Sequence, residues 1–379
     1  MTLRVSVFQK RFLSIDWLLL AATVPILFAG LVTMNSFTGE STLFNKQIAW
    51  IAIAFIVMFL ASFMDFRFLR RTPILVGLFF GSCLMLMLLL FVANVTRGSQ
   101  SWFDLGLFSL EPSDPIKLVL VLILAKYFSR RHIEIAHIRH ILVSGFYALV
   151  FFTLILLQPD FGSAIIIFFL WIGMVLVSGI SKKHLLLVFF IGSLAFVLLW
   201  TQAFKDYQKQ RIVNFIHPLA DIRDTGYNAF QSTIAVGSGE IVGKGVGFGT
   251  QSRLKFLPEY ETDFIFAAFA EEWGLVGVLL LFLFFAMVIW RILLHASRAA
   301  SNFEMLYALG LAILFISHFT VNVGMNIGLL PVTGITLPFM SYGGTHLFTE
   351  FLGLGILMGM SRYERTAQKD LSKNELPGV

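Results

Sequence analysis

Hydrophobic positions along most of this chain do not alternate with polar ones; they run on in long unbroken stretches. Such stretches lie near residues 15–35, 47–64, 73–95, 114–128, 141–158, 162–180, 184–201, 264–291, 305–330 and 344–361. Many are of about 18–25 residues, the length a helix needs to cross a hydrocarbon core of roughly 30 Å. The fourth is short and the eighth has a polar entrance. The pattern predicts an all-α polytopic membrane protein of ten transmembrane helices, one domain over 1–379. A long loop, about 202–262, separates helices seven and eight, and a polar tail follows from about 362 to 379.

Composition supports lipid as the solvent. The apolar fraction is 58%, with 42 phenylalanines, more than a soluble domain of this length hides. The N-terminus has a basic start and then an apolar run from about Trp17 to Met34. That run is longer than a signal-peptide core and has no small-x-small cleavage site after it, so a retained first helix is expected. Cys83 is the single cysteine and lies inside an apolar run, which excludes an intramolecular disulfide.

The net charge of +6 reads as topology rather than as nucleic-acid binding. With an even number of spans both termini share one side, and 18 of the 28 basic residues fall there. They include Arg67, Arg70 and Arg71, Lys126 and Arg130, and Arg291 and Arg298. Seven of the other ten lie in the long loop, whose length weakens its vote. Both termini are therefore expected in the cytoplasm. The outer face then receives four polar stretches marked by glycine and proline. These are RGSQSWFDLGLFSLEPSDPIK (97–117), LQPDFGSA (157–164), the loop running into FLPEYETDF, and PVTGITLPFMSYGGT (331–345).

The glycine-rich run GSGEIVGKGVGFG invites a phosphate loop but fails its spacing. The position five before Gly243 is Ser238, and Lys244 is followed by Gly245 rather than Ser or Thr. A tightly turning loop is the plainer reading. With no nucleotide site, an activated donor would have to come with the membrane.

Five carboxylates gather around the entrance of the eighth span: Glu259, Glu261, Asp263, Glu271 and Glu272. Asp263 could cap that helix, but Thr262 could do so equally, which leaves both a capping and a chemical role open. Glu271 and Glu272 lie two turns deeper, where a carboxylate is costly unless paired or facing a polar cavity. Asp263 and Glu271 stand about 80° apart around the helix and roughly 12 Å along it. They could share a groove but not one metal ion. Asp114 and Lys117, three apart, fall on one helical face and can pair. A turn-forming role explains Asp160 between Pro159 and Gly162. His318 reads as a polar residue satisfied between helices, and His132, His137 and His140 fall in a basic connection.

Taken together, GTQSRLKFLPEYETDFIFAAFAEEWGLVG (249–277), LQPDFGSA and LLPVTGITLPFMSYGGT resemble the SEDS family, the membrane glycosyltransferases that polymerise peptidoglycan. The likeness covers nearly the whole chain, and the first segment looks closer to the RodA branch, which elongates rod-shaped cells, than to the FtsW division branch. The resemblance implies that Asp263 is the catalytic residue and that the substrate is lipid II on the outer face of the bacterial cytoplasmic membrane. It implies substrate contacts from Lys117, Trp102, Asp160, Lys244, Arg253, Lys255, Ser341 and Tyr342, with Arg211 a further outer-face cation. Asp114, Glu261 and Glu271 would shape or tune the site. A dependence on Mg²⁺ or Mn²⁺ is implied, with Asp263 and Glu261 as possible ligands. The implied partners are a class B penicillin-binding protein, the crosslinking transpeptidase, and membrane proteins of the elongation complex.

The chain departs from the family pattern in places. EPSDPIK carries Asp114 where relatives have Glu, and places Pro115 in the first helical turn. Ser101 replaces an Arg beside Trp102, with Arg97 four residues earlier as a possible substitute. Glu261 stands where many relatives have His, and could raise the pKa of Asp263 or help hold a cation. His346 after SYGGT is unusual. Two rivals to the polymerase stay open: a transporter that flips a lipid-linked precursor, which needs a polar path to the cytoplasmic side, and a non-catalytic scaffold.

Overall fold

The computed structural model describes residues 15–36, 42–92, 101–104, 109–130, 138–202, 209–210, 213, 215–216, 226–254, 256–257 and 259–374. Each of the ten apolar stretches emerges as a helix. In chain order these are α1 (Trp17–Asn35), α2 (Thr42–Phe63), α3 (Thr72–Val92), α4 (Ser113–Ser129), α5 (Ile138–Leu157), α6 (Phe161–Val177) and α7 (Lys182–Gln202). After the long loop come α10 (Ile265–Ser297), α11 (Asn302–Asn326) and α12 (Gly344–Asn374). The loop contributes α8 (Tyr227–Ser238) and the single turn α9 (Thr250–Arg253). Among the described residues, six helices are long and apolar enough to cross a membrane: α1, residues Leu43–Phe63 of α2, α3, α5, α10 and α11.

Three features differ from the expectation. The eighth stretch is not one continuous helix: at Gly274 the backbone turns to φ 62°, ψ −166°, which only glycine adopts at little cost. The last helix runs past 361 to Asn374, because its polar end keeps helical backbone beyond the apolar stretch. A small antiparallel hairpin, β1 (Phe103–Asp104) with β2 (Ser109–Leu110), stands ahead of α4. Pro115 fits α4 without strain, since it occupies the third helical position, where a backbone N–H has no helical partner in any case.

The bundle is centred on α11, most of whose side chains are buried, and which packs against α4, α6 and α10. Helix α1 lies along α10, and α12 along α2. The α2–α12 approach uses two glycines four apart. A methyl group on Gly355 would lie 2.8 Å from the Met58 carbonyl oxygen, and one on Gly359 would lie 3.0 Å from that of Ala61. This small-xxx-small seam brings backbones together where lipid supplies no hydrophobic driving force between helices.

The end of the bundle holding the start of α1 is tied by charge. Asp16 caps α1 by accepting from the Leu19 N–H at 3.0 Å, and its Oδ2 takes two bonds from Arg291, at 2.7 and 3.0 Å. Arg70 donates to Glu304 at 2.6 Å and to Ser301 at 2.9 Å. Several basic residues counted in the topology argument are therefore also structural partners.

Candidate active site

At the opposite end, the segment Glu261–Asp263 is held carbonyl by carbonyl. The Tyr342 N–H donates to the Glu261 carbonyl at 2.8 Å, and the Ser341 hydroxyl donates to the Thr262 carbonyl at 2.6 Å. The Asp263 carbonyl accepts from the side-chain amides of both Asn322 and Asn326 at 3.0 Å. Three successive acceptors are thus fixed by the 331–343 loop and by α11. Phe264 occupies the N-cap position of α10 and makes no side-chain cap bond, so Asp263 stands one residue outside that position. Its carboxylate lies close to the 331–343 loop: a methyl group on Gly334 would sit 3.4 Å from Asp263 Oδ2. Asp263 is partly exposed while Phe264 to Glu272 are all buried, so the aspartate stands at the rim of a packed helix.

The two asparagines were not singled out from the sequence. Their signal was present, since two amides four apart in an apolar span fall on one helical face and need partners there. Asn326 is a junction. Its Oδ1 accepts from the Ala267 N–H and the Ser232 hydroxyl, both at 3.2 Å, which joins α8, α10 and α11.

A second polar centre lies on α4. Lys117, only 2% exposed, donates to Asp114 at 3.0 Å, so the shortened carboxylate still reaches its partner. His346 from α12 stands between two carboxylates, with Nδ1 3.3 Å from Asp114 and Nε2 3.0 Å from Glu350. Glu350 also accepts from the Phe339 N–H at 3.0 Å. His318 packs its ring 4.6 Å from that of His346, and its Nδ1 is buried with no hydrogen-bond partner. These groups surround a cavity of about 10 Å³, room for a single water.

Three of the glycine- and proline-marked stretches meet beside this centre. Glu111 donates its N–H to Thr345 Oγ1 at 3.1 Å and accepts from the Ser113 hydroxyl at 2.6 Å. Ser113 and Ser163 hydroxyls lie 3.2 Å apart, and Asp160 caps α6 by accepting from the Ser163 N–H at 3.0 Å. Burial, then the neighbouring charges of Asp114 and Asp160, push the Glu111 carboxyl up to about 8.

The remaining expected residues divide by surroundings. Lys244 donates to Glu271 at 2.7 Å and to Thr250 at 2.9 Å. Glu271 also accepts from Thr250 and from the Gln251 N–H. Both residues therefore fasten the loop to α10. Ser341, expected to face substrate, is buried and uses its hydroxyl inside the fold, also accepting from the Leu337 N–H at 2.8 Å. Tyr342 is half-buried, and burial, then the Glu261 carboxylate, raise its phenol. Trp102 and Arg253 are exposed. Lys255, Arg97, Arg211, His132 and His137 lie outside the described residues, and His140 bonds Tyr127 at 2.9 Å. Among the described residues no three His, Cys, Asp or Glu side chains gather as a metal site would require.

Beside α2 and the start of α12 lies an apolar groove of about 430 Å³. Ala49, Trp50, Ile53, Leu110 and Phe348 line it, with Lys46 and Thr345 as its polar members.

The family model of cell cycle proteins that covers FtsW, RodA and SpoVE matches residues 10–366. The chain belongs to this family, the SEDS proteins. It is 35% identical to stage V sporulation protein E of Bacillus subtilis (strain 168), over 92% of this chain and 98% of that one. It is also 35% identical to the peptidoglycan glycosyltransferase MrdB of Escherichia coli (strain K12), over 73% of this chain and 75% of MrdB. Among solved structures, a chain of a peptidoglycan synthase complex that coordinates polymerization and crosslinking superposes with a TM-score of 0.79 at 30% identity. That match covers 92% of this chain and 98% of the other. The rod shape determining protein RodA of Thermus thermophilus follows with a TM-score of 0.69 at 28% identity, over 92% and 96%. The SEDS protein described here is thus a multi-pass membrane protein with a RodA-like fold, and its class of enzyme is glycosyltransferase.

Proposed function

We propose that this SEDS protein polymerises lipid II into glycan strands on the outer face of the cytoplasmic membrane, with Asp263 as general base. The observation that carries the reading is the clamp on Glu261, Thr262 and Asp263. Three successive carbonyls fixed by the 331–343 loop and by α11 hold the partly exposed carboxylate with little freedom, the preorganisation that proton abstraction needs. The sugar C4 hydroxyl of one lipid-linked disaccharide attacks C1 of another. Asp263 takes the hydroxyl proton, the new glycosidic bond forms with inversion, and the bond from C1 to the pyrophosphate breaks.

The departing pyrophosphate needs positive charge. Lys117 and Lys244 are each held by a carboxylate, which leaves Arg253 as the exposed candidate among the described cations of that set. A divalent cation of the Mg²⁺ or Mn²⁺ type would be held largely by the substrate's own phosphates with one or two carboxylates; Asp263 and Glu261 are the residues that would serve. The apolar groove suits a polyprenyl tail, and Lys46 beside it suits the anionic head. Under this reading α1 to α7 and α10 to α12 cross the membrane, both termini are cytoplasmic, and residues 202–262 lie outside. A class B penicillin-binding protein as partner is supported by the likeness to the synthase complex, and an elongation role by MrdB and RodA. Relatives named FtsW stand equally near by sequence, 34% identical in one from Thioalkalivibrio sp. (strain K90mix). The cavity beneath Lys117 is too small for a sugar, which disfavours the transporter.

The test is polymerisation of purified lipid II by the protein with its partner. Wild type yields glycan strands, and Asp263→Asn yields none at equal expression and thermal midpoint. Normal polymerisation by the Asn variant would remove Asp263 from the chemistry. Rounded cells on depletion, rather than filaments, would mark the elongation role.

A further inference from the structure

The break at Gly274 frees backbone groups that a helix would otherwise use, and the loop after α8 takes them up. The Lys244 and Gly245 N–H groups donate to the carbonyls of Glu271 and Glu272, both at 3.0 Å. In return the Leu275 and Val276 N–H groups donate to the carbonyls of Glu240 and Ile241, at 2.9 and 3.1 Å. The Gly247 N–H donates to Glu272 Oε1 at 2.6 Å. The turn 240–248 is therefore fastened to α10 by backbone on both sides of the break.

Apart from the exposed Glu240 at its start, this turn uses its polar groups inward and shows apolar side chains outward. Ile241 is 65% exposed, Val242 78%, Val246 44% and Phe248 65%. Its lysine, Lys244, is turned to Glu271. A contiguous exposed apolar patch on a rigid frame calls for a partner.

The level of the patch identifies that partner. Helix α1 ends at Asn35, and a methyl group on Gly247 would lie 3.3 Å from the Ser36 carbonyl oxygen, so the turn sits at the end of α1. From Leu275 to Ser297, α10 spans about 34 Å, enough for the hydrocarbon core. The break thus marks the same boundary. Directly past it Leu275, Val276 and Leu279 are exposed as well, on a helix long and apolar enough to cross a membrane. The apolar face of the turn continues this lipid-facing surface.

We infer that the turn 240–248 is a monotopic foot: Ile241, Val242, Val246 and Phe248 insert into the acyl–headgroup boundary of the bilayer leaflet at this end of the bundle. The foot sets the depth of the helical segment Ile265–Trp273, through Glu271 and Glu272, and with it the height of Asp263. This holds whatever reaction Asp263 performs.

Site-directed spin labelling tests it on the full chain in phosphatidylethanolamine–phosphatidylglycerol vesicles. Cys83→Ala removes the single cysteine, and labels are placed through Val242→Cys or Phe248→Cys. Leu279→Cys serves as the lipid-facing reference and Ala300→Cys as the water-facing one. At 242 and 248, collisions with oxygen should exceed those with a water-soluble nickel chelate several-fold, as at 279. Nickel collisions at the level of position 300 would put the turn in water and overturn the inference. Shielding from both reagents, in the chain alone, would mean that protein covers the patch and would overturn it equally.

Discussion

The side-chain amide of Asn326 donates to the carbonyl oxygen of Asp263 across 3.0 Å, while its own carbonyl oxygen accepts from the Ala267 N–H at 3.2 Å. One buried residue of α11 thus fixes both Asp263, just ahead of the N-cap of α10, and the first turn of that helix.

Asn326→Ala removes both bonds and leaves buried groups unsatisfied, a cost of about 1–3 kcal/mol. The expected outcome is a lowered thermal midpoint in detergent and polymerisation slowed at least about tenfold at saturating substrate. A variant that loses stability but polymerises at the wild-type rate would separate the clamp from the chemistry.

Lys117→Met leaves Asp114 facing His346 and Glu350 without its ammonium. Breaking a buried ion pair on one side costs about 3–5 kcal/mol. Thermal unfolding should show that loss, and Asp114→Asn combined with Lys117→Met should recover much of it. Equal stability of the single and double variants would show that the pair is not coupled.

Two glycines of the foot separate strain from collision. Both have positive φ, +82° at Gly243 and +95° at Gly245. A methyl group on Gly245 meets nothing nearer than Phe248 at 3.4 Å, whereas one on Gly243 collides with the Glu272 carbonyl. Gly245→Ala should cost about 1–2 kcal/mol from backbone alone. Gly243→Ala should cost clearly more and open the amides of 243–247 to hydrogen exchange.

Glu111 gives a pH dependence with a definite sign. Its folded pKa is about 8, above the ordinary 4.5, so the protonated form favours the fold. That contribution is complete below about 4.5, declines as pH rises, and is gone once pH passes about 8. Glu111→Gln keeps a neutral side chain throughout. Between about pH 5 and pH 8.5 the thermal midpoint of wild type should fall relative to this variant; parallel curves would show that Glu111 is ionised in the fold at neutral pH.

Much of the architecture was legible in the sequence, because lipid removes the ambiguity that water allows. A long uninterrupted apolar stretch has one economical structure, a helix that satisfies its own backbone. The pairing of Asp114 with Lys117 was also legible, since a spacing of three is local. Lys244 and Glu271 show the limit: both were named, but their 27-residue separation hid that they bind each other. Asn322, Asn326 and Ser341 show it again: spacing puts the two amides on one helical face, but it does not say which distant element each group binds.

The sequence by itself determined the solvent, the helices, the family and the aspartate on which the chemistry is proposed to rest. All follow from local runs, spacings and motifs. Tertiary structure decided that α10 breaks at Gly274, that Phe264 rather than Asp263 holds its N-cap position, and that three carbonyls around Asp263 are clamped from elsewhere. Each depends on which distant group supplies a missing hydrogen-bond partner, and that is settled only when the helices pack.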